Sequence, residues 1–204
     1  MLFTDTYLTL ATPSESVFRD RGSKFIGLAM PVSTETEMKL ALEGVRKKYF
    51  DATHHCYAFR LGADKTAYRF SDDGEPSGTA GRPIFGQIQS KDVTNVLVVV
   101  VRYYGGTKLG VSGLINAYKT AARDALQANT IVERTLHDVF EVAFDYAQMN
   151  AVMHILKEEQ LSQHSHLFDA QCSIRFEVRK RDSHRVADMF TSLKDVKLHW
   201  VCTV

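Results

Sequence analysis

Apolar residues recur along the first part of the chain in the short patterns that are typical of strands. Residues 7–10, 16–18 and 24–30 are apolar or alternating stretches, and the third stops at a proline. Residues 54–61 return to a strand pattern. Residues 93–102 form an almost unbroken β-branched run, which indicates a strand that is buried on both faces.

Segments whose apolar residues recur with helical spacing lie between or after these predicted strands. Residues 34–49 place three apolar side chains at i, i+4 and i+7, with Thr34 as an N-cap residue and basic residues in the last turn. A short helix is predicted over residues 84–89. A longer helix is predicted over residues 114–128, with a buried stripe of six residues: Leu114, Ala117, Tyr118, Ala121, Ala125 and Leu126.

The rest of the chain predicts strand, helix, strand, strand, helix and strand in about 65 residues. The predicted strands cover residues 139–144, 164–168, 170–179 and 196–201, and the helices cover residues 149–160 and 183–193. This β-α-β-β-α-β order is typical of a ferredoxin-like fold, which supports many functions and therefore predicts architecture rather than activity. The chain is thus expected to be an α+β protein with domains at residues 1–135 and 136–204.

Composition places the chain among ordinary globular proteins, with 45% hydrophobic and 24% charged residues. The longest apolar run, Val96–Val101, is far shorter than the stretch of about 20 residues that crosses a bilayer. Residues 1–12 lack the pattern of a secretory signal. The three cysteines include no CxxC pair, which suits a reducing compartment. A cytoplasmic protein without a membrane partner is expected.

Charge gives little support to strong electrostatic binding of nucleic acid. Residues 1–138 hold 17 Lys and Arg against 15 Asp and Glu, and residues 139–204 hold 8 against 9. A local basic cluster occurs in the second part, where solvated surface is the favoured interpretation: Arg175, Arg179, Lys180, Arg181 and Arg185.

The sharpest chemical signal is the glycine-rich segment between the buried strand and the long helix. Glycines allow backbone amides to approach a ligand, and a helix N-terminus attracts anions. The spacing matches neither common nucleotide-binding loop, so a tight structural turn is an equal alternative. The candidate ligand- or anion-binding residues are Arg102, Tyr103, Tyr104, Gly105, Gly106, Lys108, Gly110 and Ser112.

An acidic loop precedes this segment, within the turn-rich stretch from Phe70 to Pro83. Three carboxylates in four positions could hold Mg²⁺, although Asp-Asp-Gly is also common turn chemistry, which is the favoured interpretation. The candidate residues are Asp72, Asp73, Glu75, Gly78, Thr79 and Gly81, with His54, His55 and Lys24 as adjacent candidates. Because neighbouring strand residues point to opposite faces, the two histidines are not expected to share a metal. No metal site and no catalytic residue is assigned.

Three ordered motifs make the chain resemble the IMPACT/YigZ family of uncharacterised proteins. They are HHCYA at residues 54–58, FSDDGEPSGTAGRP at residues 70–83 and VVVRYYGGTKLGVSGL at residues 99–114. Many members have Gly-Gly where this chain has Ser112-Gly113; because serine is a good N-cap residue, the helix is expected to begin at a slightly different position.

The resemblance implies a first domain like those of a ribosomal protein and RNase PH subunits. It implies a second domain similar to the last domain of elongation factor G. The eukaryotic relative regulates translation, so the resemblance implies a non-enzymatic binding or regulatory protein linked to translation. RNA, the ribosome and a protein are all open as partners, and the sequence does not rank oligomeric states.

The alternative function is an enzyme that acts on a phosphorylated or nucleotide-like small molecule. Its site would combine the acidic loop, with Mg²⁺ as an optional cofactor, and the glycine-rich loop. This alternative requires Asp72 or Asp73 to lie near Gly105 and Gly106 in space.

Overall fold

A computed structural model describes residues 5–168 and 172–204 of the chain. The protein has mixed α+β structure and divides into two compact units. The first unit is Tyr7–Arg134, and the second unit comprises residues 135–204 with the described residues Asp5 and Thr6.

The first unit contains seven strands and three helices in its described residues. The strands are β1 (Thr6–Leu10, which begins one residue before the unit), β2 (Ser14–Asp20), β3 (Ser23–Pro31), β4 (His54–Leu61), β5 (Ala67–Ser71), β6 (Val96–Tyr103) and β7 (Ile131–Thr135, which ends one residue beyond it). The helices are α1 (Glu35–Lys48), α2 (Gly81–Ser90) and α3 (Gly110–Gln127). The main sheet has the order β2-β3-β6-β4-β5, and β1 and β7 form a separate two-stranded ribbon.

The continuous apolar run becomes the central strand β6, and the prediction of burial on both faces is confirmed. Every residue from Val96 to Val101 is fully buried. Val98 and Val100 belong to the core under α2 and α3, whereas Val99 and Val101 belong to the core under α1. Alternate side chains of one strand therefore supply two cores.

Helix α1 begins as its sequence predicts. The Thr34 hydroxyl accepts a hydrogen bond from the Glu37 amide at 3.1 Å, and the Glu37 carboxylate accepts one from the Ser33 amide. The predicted apolar stripe of Met38, Leu42 and Val45 is buried.

The second unit has the predicted β-α-β-β-α-β order of elements. Its strands are β8 (His137–Phe144), β9 (Ser162–Phe168), β10 (Cys172–Arg179) and β11 (Val196–Thr203), and its helices are α4 (Met149–Glu158) and α5 (Ser183–Thr191). The sheet order is β11-β8-β10-β9, and all three pairings are antiparallel. The inward residues of β8 alternate, with Phe140, Val142 and Phe144 buried.

Several predicted boundaries are wrong. Strands β5 and β7 were not predicted, and the stretch read as turn from Phe70 to Pro83 ends β5 and begins α2. Helix α3 begins at Gly110 rather than Leu114, so Ser112 lies in its first turn and does not cap it. The predicted strand start at Ala170 lies outside the described residues. No helix in the described part of the chain is both long and apolar enough to cross a membrane.

Candidate functional site

The candidate site of the first unit lies where three strands of the main sheet bring three side chains into one row. Arg102 of β6 pairs with Phe25 of β3 on one side and with His54 of β4 on the other. The same register pairs Cys56 with Val100. Because alternate strand residues share a face, these side chains all lie on the face that α2 and α3 cover.

A buried ion pair occupies the middle of this row. The Arg102 Nη1 donates to Glu75 Oε1 at 2.5 Å, and only 6% and 4% of the two side chains are exposed. The Tyr118 hydroxyl of α3 donates to the same oxygen at 2.8 Å. The Phe25 and Tyr104 rings lie 5.4 Å from the guanidinium carbon. The pair compensates the large cost of burying each charge alone.

Arg102 keeps one donor without a partner. Its Nε is buried and makes no hydrogen bond within the described residues. A buried donor of this kind costs roughly 1–3 kcal/mol. The described residues therefore leave one hydrogen-bond donor of the site without an acceptor.

The Asp72 carboxylate stabilises its own loop. It accepts hydrogen bonds from the backbone amides of Gly78, Ala80 and Gly81 at 2.8–2.9 Å. The neighbouring Thr79 is buried, and its hydroxyl donates to the Pro76 carbonyl. The carboxylate thus replaces a side-chain cap at the start of α2, where the N-cap residue Ala80 offers none.

Asp73 ties the acidic loop to the first residues of β4. Its Oδ2 accepts from the His55 amide at 2.7 Å, and its Oδ1 accepts from Arg46 at 3.4 Å. The His54 Nδ1 donates to the Asp73 carbonyl at 2.8 Å, and His54 Nε2 lies 3.8 Å from Glu75 Oε1. The His55 Nε2 instead donates to the Tyr49 carbonyl at 2.9 Å. Both histidines therefore contact Asp73, whereas their Nε2 atoms lie near different residues.

Cys56 and Tyr118 are neutral groups within the buried cluster. Burial raises the pKa of the Cys56 thiol, and the nearby carboxylates raise it further. Burial likewise raises the pKa of Tyr118, helped by the adjacent Cys56 and Glu75. The thiol donates to the Asp72 carbonyl at 3.0 Å. A thiol in this state is a poor nucleophile.

The glycine-rich loop is held against the turn between β2 and β3. A Cβ on Gly105 would lie 1.9 Å from the Gly22 carbonyl carbon, so only glycine fits there. The Gly105 amide donates to Ser23 Oγ, and the Tyr104 amide donates to Thr53 Oγ1. Gly106 has a φ of 83°, in the left-handed region. The first part of the loop is therefore fixed by backbone contacts.

The outer side of this loop is an exposed surface of aromatic, amide and cationic groups. Tyr104 is 48% exposed, and every residue from Gly105 to Lys108 is exposed. The half-buried Lys24 lies with its Nζ 6.0 Å from the centre of the Tyr103 ring. The Tyr103 hydroxyl donates to Asp51. We call Lys24, Tyr103, Tyr104 and residues 105–108 the loop surface.

The acidic loop meets the loop surface through Glu75 and Arg102 rather than through Asp72 or Asp73. The described side-chain contacts of Asp72 and Asp73 go to Arg46, to the start of β4 and to residues 78–81. None of them reaches Gly105 or Gly106. Among the residues that the structure describes, no group of three or more His, Cys, Asp or Glu is arranged to hold a metal ion.

The basic cluster of the second unit is largely paired. Arg175 contacts Glu141, Arg179 contacts Asp5, and Arg185 contacts Glu159 through two hydrogen bonds of 2.7 Å. Arg181 lies 3.3 Å from Asp182. These pairs reduce the field that the cluster would present to an anion.

Sequence reasoning missed the central pair and its partners. Glu75 and Arg102 were both candidates, but 27 residues separate them, and Tyr118 was assigned only to the apolar stripe. The sequence contained one indication of this pair: Arg102 directly follows six apolar residues that are buried. An arginine at the end of a buried strand requires an anionic partner.

Known proteins share both the sequence and the architecture of this chain. The Impact N-terminal domain family matches residues 21–126. The IMPACT family member YvyE of Bacillus subtilis is 30% identical over 192 residues, covering 94% of this chain and 88% of that protein. The IMPACT family member YigZ of Escherichia coli is 36% identical over 154 residues, covering 74% and 76%. A crystal structure of a hypothetical protein is similar over 98% of this chain and 99% of its own, with 29% identity and a TM-score of 0.76.

The fold and the three motifs therefore define a two-unit α+β protein with an Impact N-terminal domain. The chain belongs to the IMPACT family.

Proposed function

We propose that this chain is a non-catalytic binding protein linked to translation, and that it contacts single-stranded RNA through the loop surface. Family membership supports the link to translation, as the resemblance implied. The sheet order β11-β8-β10-β9 supports a ferredoxin-like second unit, similar to the last domain of elongation factor G. The five-stranded sheet covered by α1, α2 and α3 supports a first domain of the ribosomal-protein and RNase PH type.

One observation carries the RNA proposal: the Asp72 and Glu75 carboxylates of the site are hydrogen-bonded within the protein, whereas its exposed groups suit a nucleic acid. The Asp72 carboxylate accepts hydrogen bonds from backbone amides, and the Glu75 carboxylate accepts them from Arg102 and Tyr118. The exposed Tyr104 ring offers a stacking surface, and Lys108 offers a cation for phosphate. Stacking on exposed aromatic rings and lysine contacts to phosphate are the usual basis of single-strand binding.

The balance of charge sets the expected strength of binding. The chain carries a formal net charge of +1, so long-range attraction to RNA is weak. Affinity must come from local stacking and a small number of phosphate contacts. We therefore expect micromolar rather than nanomolar binding, corresponding to about −8 kcal/mol.

Fluorescence anisotropy with a labelled single-stranded oligouridine tests this proposal. At low salt, we expect Tyr104→Ala to weaken binding at least about fivefold, because loss of one base stack costs about 1–3 kcal/mol. The matched control is Tyr146→Ala in the second unit, where the tyrosine is 79% exposed and outside the loop surface. Equal binding by both variants, or no binding by the unmodified protein, would contradict RNA contact at this surface.

The enzyme alternative keeps one supporting observation, the unpartnered Arg102 Nε, which a bound anion could satisfy. A thermal-shift screen of nucleotides and phosphorylated metabolites, with and without Mg²⁺, tests it. A ligand at 100 times its Kd stabilises the fold by about 2.7 kcal/mol. A magnesium-dependent shift that Lys108→Ala abolishes would favour the enzyme over the binding protein.

A further inference from the structure

A second surface of the first unit shares no residue with the loop surface. It combines a free sheet edge with an apolar cavity. Strand β5 is the last strand of the main sheet, and β4 is its neighbour on one side only. A cavity of about 340 Å³ lies between α1 and the β4–β5 pair. Its apolar lining comes from Met38 and Leu42 of α1, from Tyr57 and Phe59 of β4, and from Ala67 of β5.

The edge of β5 lacks the features that usually protect such strands. The β4–β5 register runs without a shift from Tyr57↔Ser71 to Leu61↔Ala67. Strand β5 contains no proline and only one charged residue, Arg69. Regular, uncovered edges of this kind readily accept another strand.

The other edges of the two sheets are protected differently. The pairing of β9 shifts register at Arg175 and Phe176, and the pairing of β11 shifts register between Trp200 and Cys202. Strand β2 exposes every second residue, and two of these three exposed residues, Glu15 and Arg19, carry charges that flank Val17. Bulges and alternating charges disfavour strand addition. Among the described edge strands of the two larger sheets, β5 alone has neither feature.

We propose that β5 binds an extended, acidic peptide segment of a partner protein, which adds as a sixth strand and places apolar side chains in the cavity beside α1. A strand paired with β5 would lie about 4.8 Å from it, with alternate side chains on the α1 face. On that face the side chains of the added strand would lie next to Ala67 and Arg69, at the mouth of the cavity.

The charges at the cavity favour an acidic peptide. Arg69 is exposed and lines the cavity, and it has no hydrogen bond or ion pair with another described residue. The other cation of the rim, Lys39, lies 3.8 Å from Glu35. A peptide carboxylate opposite Arg69 would form the cross-strand pair that is now missing.

The same charge disfavours a second copy of this chain as the occupant. In the symmetric antiparallel register that pairs all five residues of β5, Arg69 would lie opposite Arg69 of the other copy. Like charges in directly opposed positions destabilise a sheet pair. A partner strand with a carboxylate at that position avoids this repulsion.

Selection of a displayed library of random nine-residue peptides against the full chain tests the proposal. The enriched sequences should alternate apolar and polar residues and contain Asp or Glu. A labelled synthetic copy of the most enriched peptide then serves as the probe for anisotropy, and amide hydrogen exchange should slow over residues 67–71 when it binds. Failure to enrich any alternating sequence would overturn the proposal.

Two variants locate the binding. Ala67→Phe fills the cavity from an exposed strand position and should raise the peptide's Kd at least about tenfold. Leu40→Phe is the matched control, because Leu40 is 63% exposed on α1 and does not line the cavity; its Kd should change less than about twofold. Equal effects of the two variants would overturn the proposed location.

Charge reversal provides the last test. Arg69→Glu should weaken the acidic peptide about three- to tenfold, and a peptide with Lys in place of its acidic residue should recover that loss. Protection of residues 67–71 that appears with rising protein concentration alone would identify a second copy as the occupant and overturn the peptide proposal. RNA binding at the loop surface should be unchanged in Ala67→Phe, so the two proposals fail independently.

Discussion

One ion pair from each unit shows how the same kind of contact differs with burial. In the first unit, Glu75 and Arg102 form a pair that is almost completely buried and shared with Tyr118. In the second unit, Arg185 and Glu159 form a pair of 2.7 Å whose arginine side chain is 57% exposed. The geometry is similar, but the surrounding medium is not, so the two pairs should contribute very differently to stability.

The two units also differ in where glycine residues occur. All twelve glycines lie between Gly22 and Gly113, and residues 135–204 contain none. The first unit brings backbone segments into contact at Gly105 and Gly27, where a Cβ would meet backbone atoms within 2.5 Å. The second unit is built without any such glycine position. The comparison teaches that tight backbone contacts and the almost fully buried Glu75–Arg102 pair occur together in the unit that carries the candidate site.

The largest effect should follow from breaking the buried pair. Glu75→Gln removes the charge that compensates Arg102, and we expect a loss of about 3 kcal/mol or more in the free energy of unfolding. Urea denaturation measures it. The double variant Glu75→Gln/Arg102→Met should recover much of the loss, because it removes the uncompensated charge. A loss below about 1 kcal/mol in the single variant would mean that the pair behaves like a surface pair.

The glycine contrast gives the next largest effect. Gly105→Ala places a Cβ against Gly22 and Ser23, and we expect a cost of about 2 kcal/mol. Gly44→Ala in α1 is the matched control, since a Cβ there meets nothing within 4 Å. The control should gain about 0.5–1 kcal/mol, because alanine favours a helix. Changes of the same sign in both variants would contradict the close backbone approach.

The second unit should be sensitive to acid. Burial would raise the pKa of Asp138, but hydrogen bonds from Thr203, Ser183 and Trp200 outweigh it and lower the pKa. A lowered folded-state pKa gives stability that is present above the unfolded value of about 3.9 and is lost as the pH falls through the folded value. Asp138→Asn should remove this part of the pH dependence.

The only tryptophan of the chain, Trp200, donates to Asp138 and therefore reports on this unit. Its fluorescence should change as the pH falls below about 4 in the unmodified protein. An unchanged acid transition in Asp138→Asn would show that other carboxylates, such as Asp5 beside Arg179, dominate it.

The smallest effect belongs to the exposed pair. Arg185→Met should leave the free energy of unfolding without a resolvable change, because solvent screens the pair with Glu159. Urea denaturation beside Glu75→Gln makes the comparison direct. A loss equal to that of Glu75→Gln would contradict the difference in burial on which the comparison depends.

Local sequence rules predicted the elements that depend on neighbouring residues. The Thr34 cap, the stripe of α1 and the doubly buried strand β6 follow from patterns within a few turns of chain. The order of elements in the second unit follows from the same periodicities.

Long-range contacts explain what the sequence could not predict. Strand β5 has no buried residue of its own and exists because it pairs with β4. Helix α2 begins early because Asp72, eight and nine residues before, accepts from the Ala80 and Gly81 amides. The Glu75–Arg102 pair requires the acidic loop to fold over the sheet, which no local pattern encodes.

The salt dependence of RNA binding tests the central claim most directly. We would measure the Kd for single-stranded oligouridine across a range of salt concentrations, for the unmodified protein, Lys108→Ala and the control Lys39→Ala. If the loop surface contacts phosphate, the slope of log K against log salt should fall by about 0.7 in Lys108→Ala and stay unchanged in Lys39→Ala. Identical slopes for all three proteins would contradict RNA contact at the glycine-rich loop.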